Sequence, residues 1–539
     1  MVSSGILAYG KPACRSQRGG EHCRVRRARG KTLVMVRRLP LLAWMLAVDA
    51  AAQYPGAKPP PTQFQVGFRS IEQNRAKDIL GALAGPSFRG RSPNNGDFDR
   101  AAGYVAARLQ LIGIQPAGDD GGYFQHFSMT LARPVPDKCF LRSSDTKVNL
   151  VFGTDFVSNV RDSGDLPIPP IAFVHAPVGA DLKALPLESL RGRWVFLSGP
   201  TDENPDFITY RVSPEGRERL TDARFFSAAR TLTDPSRLSY RYVTDHPRPE
   251  QPAIGVTSFT ADAIKKLAEA TGASKFLEAG PVASVEAPTF QLVLRAEVTK
   301  TVQNHVNVVG ILPGSDPRLK PEAVVIGSHL DHMGPGAGGT RFGADDNASG
   351  CAANLLIAEG MMRNPVKPRR SVVFGFWNLE EEGLHGSWLY VCRPKIALDK
   401  TVAYLNLDMV GRDENRPRAG VLAKDNTRSV YPGSVKTNSM DLFAILERNN
   451  RFVGLTLKDD YEDRTNRSDT RNFFEKGIPT LKVFTGEHED YHRAGDTLDK
   501  INWTKMISIA RWIYLSAQEL ASRLDRPRFE RKPFVPPKN

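Results

Sequence analysis

Thiols are scarce in this chain, and so are apolar stretches long enough for a membrane. Of five cysteines, only Cys139, Cys351 and Cys392 lie beyond residue 52. At most one disulfide could join them, which excludes a disulfide-framed fold. The apolar run from Leu39 to Val48 is roughly half of what a helix needs to cross a bilayer, so stable membrane insertion is not expected. Acidic residues are nearly missing from the first 38 positions, where ten Lys or Arg stand against Glu21 alone. That segment supplies most of the formal charge of +14, and the remainder has no basic stripe with interleaved aromatics. Nucleic acid is therefore not an expected partner.

What the N-terminus does contain is a processing signal. Arg37 and Arg38 precede the run LPLLAWMLAV, which gives way to Ala50, Ala51 and Ala52 before Gln53. A basic start, a short apolar stretch and small residues are the layout of a secretory signal peptide. Met35 would make its conventional start, leaving residues 1–34 as an upstream extension. The expectation is a secreted or periplasmic protein, with residues 1–52 outside the folded part.

At 539 residues, of which 41% are apolar, the chain can fill more than one core. Residues 66–149 open with helical patterns, among them Ala102, Val105, Ala106, Leu109 and Ile112 at helical spacing ahead of Gly113. Residues 150–288 change to short apolar strands broken by Pro and Gly, such as 171–176 and 193–199, and read as an inserted β-rich domain. In residues 289–525, strands at 324–329, 371–378, 402–408 and 480–486 alternate with helical stretches. Apolar strands alternating with helices predict a three-layer α/β/α domain on a mostly parallel, mixed sheet. Residues 526–539, rich in Pro and basic side chains, are expected to be a disordered tail.

The chemistry gathers where those four strands end, the place where open α/β sheets build their sites. The first delivers His329, with Asp331 two residues on, a spacing that lets the carboxylate accept a hydrogen bond from a ligand imidazole. The loop GADDNASG (343–350) offers Asp345 and Asp346, for which an ordinary helix cap is the bland alternative. The second strand runs into NLEEEGLHGS (378–387), which on the bland reading is an acidic helix start favoured by the dipole. The third ends in Asp408 within an apolar run, where an unpaired carboxylate would be costly. After the fourth come His488 and His492. Carboxylates and imidazoles without a thiolate suit Zn²⁺ in a catalytic site. Five ligands from five segments exceed what one tetrahedral zinc uses, so two ions sharing an Asp fit better.

As an ordered set, SHLDH, GADDNASG, EEEGLHGS, NLDMVG, then RSD with GIP and DYHRAGDT, these motifs resemble the co-catalytic zinc aminopeptidases of metallopeptidase family 28. The resemblance covers roughly residues 70–130 and 300–500. It implies two Zn²⁺ ions bridged by Asp346, one completed by His329 and Asp408 and the other by Glu381 and His492. Glu380 would move the proton of a metal-activated water, Asp331 would support His329 from behind, and the Asp346–Asn347 bond would be cis. The middle segment, with GRWVFLSG, resembles the protease-associated domain that some members carry. The implied function is removal of N-terminal residues from peptides or proteins. The alternatives are a glutaminyl cyclase-like transferase, a di- or carboxypeptidase on the same fold, or a receptor-like relative without catalysis. Two departures stand out: Thr470 follows Ser468-Asp469 where members often have His, and a Tyr that assists the oxyanion in some members would fall near Thr465. Tyr461 and Tyr491 are the available substitutes.

Overall fold

The computed structural model describes residues 54–175, 185–198, 223–227, 241–243, 253–277, 283–286, 289–336, 338–415, 426–458 and 468–532. The expected signal peptide and upstream extension lie outside these residues.

After a short helix at Gln65–Ser70, the chain lays down α1 (Gln73–Leu83) and α2 (Asp97–Ile112). Helix α2 starts with Asp97 and Asp99, where the dipole favours acidic groups, and stops at Gly113, whose φ of 90° is left-handed. Its predicted apolar face is buried at Ala102, Val105, Ala106 and Leu109. Strands β1 (Phe124–Pro134), β2 (Arg241–Val243), β3 (Val298–Leu312), β4 (Ala323–His329), β5 (Ser371–Trp377), β6 (Thr401–Leu407), β7 (Ser429–Gly433), β8 (Thr456–Leu457) and β9 (Thr480–Phe484) then build one sheet. Their order is β2-β1-β3-β5-β4-β6-β9-β7-β8, with Gln115–Pro116 pairing alongside β3. The four central strands β5, β4, β6 and β9 are parallel, and β1 and β3 form an antiparallel flank.

Both faces of the parallel centre are covered, and alternate side chains show it. Val324 and Ile326 of β4 point into the larger core with Val372, Phe374 and Phe376 of β5, while Ala323 and Val325 point the other way with Val373 and Trp377. The larger core is closed by α1, α2, α3 (Gly350–Arg363), α5 (Met440–Asn450) and α6 (Trp503–Ser522). The smaller takes Tyr390 and Val391 from α4 (His385–Cys392) with Phe473. The α/β prediction is thus borne out, including the parallel centre of a mixed sheet.

Between β1 and β3 hangs a lobe with its own apolar core, from Cys139 to Ala296. Strands at Phe140–Ser143 and Leu292–Ala296 pair within it. Its sheet therefore starts before residue 150 and ends after residue 288, beyond the predicted limits. The sequence signal missed this because β1 and β3 run without a break from the main sheet to the lobe: Val298 pairs with Pro134 and Val308 with Phe124. One lobe strand, β2, returns to the edge of the main sheet beside β1 and buries Tyr242 against Leu379 and Leu389.

One terminal expectation, that of a disordered tail, is corrected. At the other end of the described chain, Tyr54 and Lys58 donate backbone hydrogen bonds to Val453 and Arg451 at 3.2 and 2.8 Å. Residues 526–532 are held against the fold: Glu530 and Lys532 donate backbone bonds to Asn438 and Thr437, and Arg526 pairs with Glu322 at 2.7 Å. Basic composition suggested disorder there, but these cations have carboxylate partners.

Candidate metal centre

Each parallel strand brings one part of the site to its carboxyl end. His329 closes β4, Asp408 follows Leu407 of β6, and Glu380 and Glu381 follow β5 by three and four residues. The GADDNASG loop crosses beneath them. Gly343 adopts a φ of 58° there, and a Cβ on it would lie 1.9 Å from the Asp346 carbonyl oxygen, so only glycine fits. The Asp346–Asn347 peptide bond is cis.

The five predicted side chains converge. Asp346 Oδ1 lies 3.2 Å from His329 Nε2 and its Oδ2 lies 3.1 Å from His492 Nε2. Asp408 Oδ1 stands 3.4 Å from His329 Nε2, and Glu381 Oε2 stands 3.1 Å from His492 Nε2. Two half-sites therefore share one carboxylate, each oxygen facing its own imidazole. Ligand atoms of His329, Glu380 and Asp408 lie within 4.8 Å of one another, as do those of His332, Asp346 and Glu381. His488 lies elsewhere, 3.4 Å from Asp345 Oδ2. Asp345 also faces away from the pocket and accepts a hydrogen bond from Gly411 N at 2.6 Å.

Electrostatics follow from this crowding. Burial alone would raise the Asp346 carboxyl, yet hydrogen bonds from His329 and His492 hold it well below the usual range. Burial would lower His492, but Glu381 and Asp346 push it up to about 9. Glu380 goes the other way: burial, helped by Asp408, Glu381 and Asp469, raises it well above the usual carboxylate range, with His329 opposing.

Asp331 supports the site differently from expectation. The Nδ1 of His329 sits 3.1 Å from the Asp331 backbone oxygen and 3.9 Å from its carboxylate. The carboxylate instead accepts the backbone N–H groups of Glu380 and Glu381, at 3.1 and 3.3 Å. The spacing fixed the neighbourhood of Asp331 but not which of its oxygens faces the ring.

Several supporting residues went unrecognised in the sequence. His332, in the same SHLDH motif, places Nδ1 2.7 Å from Glu381 Oε1. Asp496 accepts the backbone N–H groups of Asp345 and Asp346 at 3.0 Å each. Arg91, in the Gly-rich turn at 88–92, is fully buried and donates to the carbonyls of Leu330, Gly343 and Asp346. An arginine following a glycine in a turn, FRGRS, was the available signal. The pocket wall is Met409, Lys482, Phe484, Glu487 and Tyr491, with Tyr491 stacked on His492 at 3.8 Å between ring centres. Thr465 and Tyr461 lie outside the described residues. Ser468 donates to Asp408 Oδ2 at 2.7 Å, and Asp469 accepts from Ser387.

Residues 307–516 match the family model described as Peptidase family M28. Leupeptin-inactivating enzyme 1 of Streptomyces exfoliatus is 30% identical over 218 residues, 40% of this chain and 43% of that one. An aminopeptidase of Pseudomonas aeruginosa is 32% identical over 206 residues, 38% of this chain and 35% of its own. The chain thus spans less than half the length of these curated relatives. Among solved structures, an aminopeptidase from Aneurinibacillus sp. strain AM-1 shares the fold, with a TM-score of 0.50 at 16% identity, covering 89% of this chain and 100% of the other.

Proposed function

We propose, starting from the match of residues 307–516 to the model of peptidase family M28, that the protein is a zinc-dependent exopeptidase that removes N-terminal residues from peptides. The observation that carries this reading is the division of Asp346, one oxygen toward His329 at 3.2 Å and the other toward His492 at 3.1 Å. A buried carboxylate shared between two imidazole–carboxylate pairs is a donor set for two cations. His329 and Asp408 would hold one, Glu381 and His492 the other, with Asp346 common to both. When bound, zinc would polarise the scissile carbonyl and activate water.

The chain's own residues supply the rest. Glu380 lines the pocket with its carboxyl raised by burial, which suits a group that takes a proton at its side-chain oxygen and returns it to the leaving amine. Asp331 aims the Glu380 backbone through its N–H, and so sets where that oxygen sits. Asp346, Asp408, Glu380 and Glu487 give the pocket a carboxylate-rich wall that favours a protonated substrate amine. Met409, Phe484 and Tyr491 offer apolar surface for the first side chain. Secretion through the N-terminal signal agrees with a role on extracellular or periplasmic peptides. Among the described residues, no helix is long and apolar enough to cross a membrane.

The test pairs metal analysis of purified protein with activity on an aminoacyl amide and on its N-acetylated counterpart. Two zinc ions per chain and hydrolysis of the free-amine substrate alone are expected. Equal cleavage of the blocked substrate, or a protein without metal that stays active, would remove the exopeptidase reading.

A further inference from the structure

The two outer carboxylates of the centre are built alike in one respect and differently in another. Each turns one oxygen into the site and has the other held from behind. Glu381 Oε1 is met by the imidazole Nδ1 of His332 at 2.7 Å. Asp408 Oδ2 is met by Ser468 Oγ at 2.7 Å and by the Lys482 ammonium at 3.0 Å. One carboxylate is therefore backed by an ammonium, and the other by an imidazole.

Lys482 is not where a lysine would be chosen for stability. It sits in the middle of β9, Thr480–Phe484, whose five residues are all buried, and its side chain is 9% exposed. Burying an ammonium is costly unless it is paired, and an apolar side chain would serve the strand better. Nor is the cation needed to anchor Asp408. The Asp408 backbone N–H already donates to the Val483 carbonyl at 3.1 Å, and Ser468 holds the carboxylate. Ser468 is itself fixed by Asn406 Nδ2 at 2.7 Å. What Lys482 adds is positive charge, directed at one half of the centre.

We propose that Lys482 is a positioning residue that leaves Asp408 a single free oxygen and makes the His329–Asp408 half the weaker of the two cation sites. The inference rests on the two-ion reading above. A positive charge 3.0 Å from one oxygen of Asp408 would oppose the binding of a dication at the other, and it would also draw electron density from the carboxylate that neutralises it. A carbonyl oxygen placed at that half would meet less neutralised charge. The arrangement gives up affinity at one position in return for polarising strength.

The experiment strips the full-length protein of metal and titrates it with Zn²⁺ against a competing chelator, alongside kcat and KM on an aminoacyl amide. Wild type should bind two ions with distinct affinities. Lys482→Met should tighten the weaker site by about tenfold or more, since charge at this range acts strongly even in water. It should leave the tighter site nearly unchanged and lower kcat with little change in KM. Lys482→Arg should restore the wild-type pattern. Ser468→Ala, which removes a neutral donor, should not tighten the site. Lys482→Gln is a second neutral variant in case Met perturbs folding. If the neutral variants weaken zinc binding at both sites or leave both affinities unchanged, the proposal fails. A rise confined to KM for substrates with an acidic first residue would also overturn it, because Lys482 would then read the substrate. A wild-type protein that binds fewer than two ions would refute the two-ion reading itself.

Discussion

Glu380 and Glu381 are neighbours of identical chemistry whose carboxylates meet different partners. Glu381 is fixed between His332 and His492, at 2.7 and 3.1 Å, while Glu380 lines the open pocket. Glu380→Gln should therefore lower kcat by about 10²–10⁴-fold with KM and zinc content near wild type, as loss of a proton-transferring group does. Glu381→Gln should lose zinc first, with activity partly restored by added Zn²⁺. Unchanged zinc in both variants, with kcat down by less than about tenfold, would return this motif to an acidic helix start. At this scale the sequence was legible where one residue type has few reasons to be buried. Asp346, Asp408 and His329 fall in that class. It was not legible for His332 or for the carboxylate of Asp331. Their partners, Glu381 and the Glu380 and Glu381 amides, lie some fifty positions away, and nothing local records the pairing.

The loop carrying His492 is an element held by charge. Asp490 takes Lys500 at 2.7 Å and Arg412 at 2.9 Å, and Asp496 lies 3.7 Å from Arg412. Burial would raise the Asp490 carboxyl, but these hydrogen bonds hold it below the ordinary value. A carboxylate depressed in the folded state contributes stability that is present above the unfolded value and lost as pH falls through the folded one. Amide exchange of residues 488–496 should accordingly show an acid-side acceleration as pH falls below about 4, the ordinary aspartate range, and Lys500→Met, by returning Asp490 toward its ordinary value, should shrink that acid-side change. An acid-side change that ignores the substitution would mean the pair does not hold the loop. Strands and helices of the parallel centre were readable because a strand buried on both faces carries a continuous apolar run, as Ala323–Ile326 of β4 and Val402–Leu405 of β6 do. Strand β1 was not, since Gln125, His126 and Ser128 interrupt its apolar residues and exposed positions alternate along it.

For the molecule as a whole, the centre joins segments far apart in the chain: the ends of β4 and β6, the loop before α3, the turn after β5 and the loop before α6 all meet there. Ions bound only in the folded state stabilise by mass action, about 2.7 kcal/mol per site at a hundredfold excess over Kd. Chelation should lower the calorimetric Tm and zinc should restore it; a Tm indifferent to both would exclude ions as ties between these segments. The lobe is fastened in another manner. Val298 lies opposite Pro134, and the amide of Val135 donates to the carbonyl of Glu297 at 2.8 Å, so the chain leaves the sheet and re-enters it one cross-strand step apart. In grammatical terms the lobe is a parenthesis opened at Pro134 and closed at Val298, with β2 as a phrase inside it that refers back to the sentence around it.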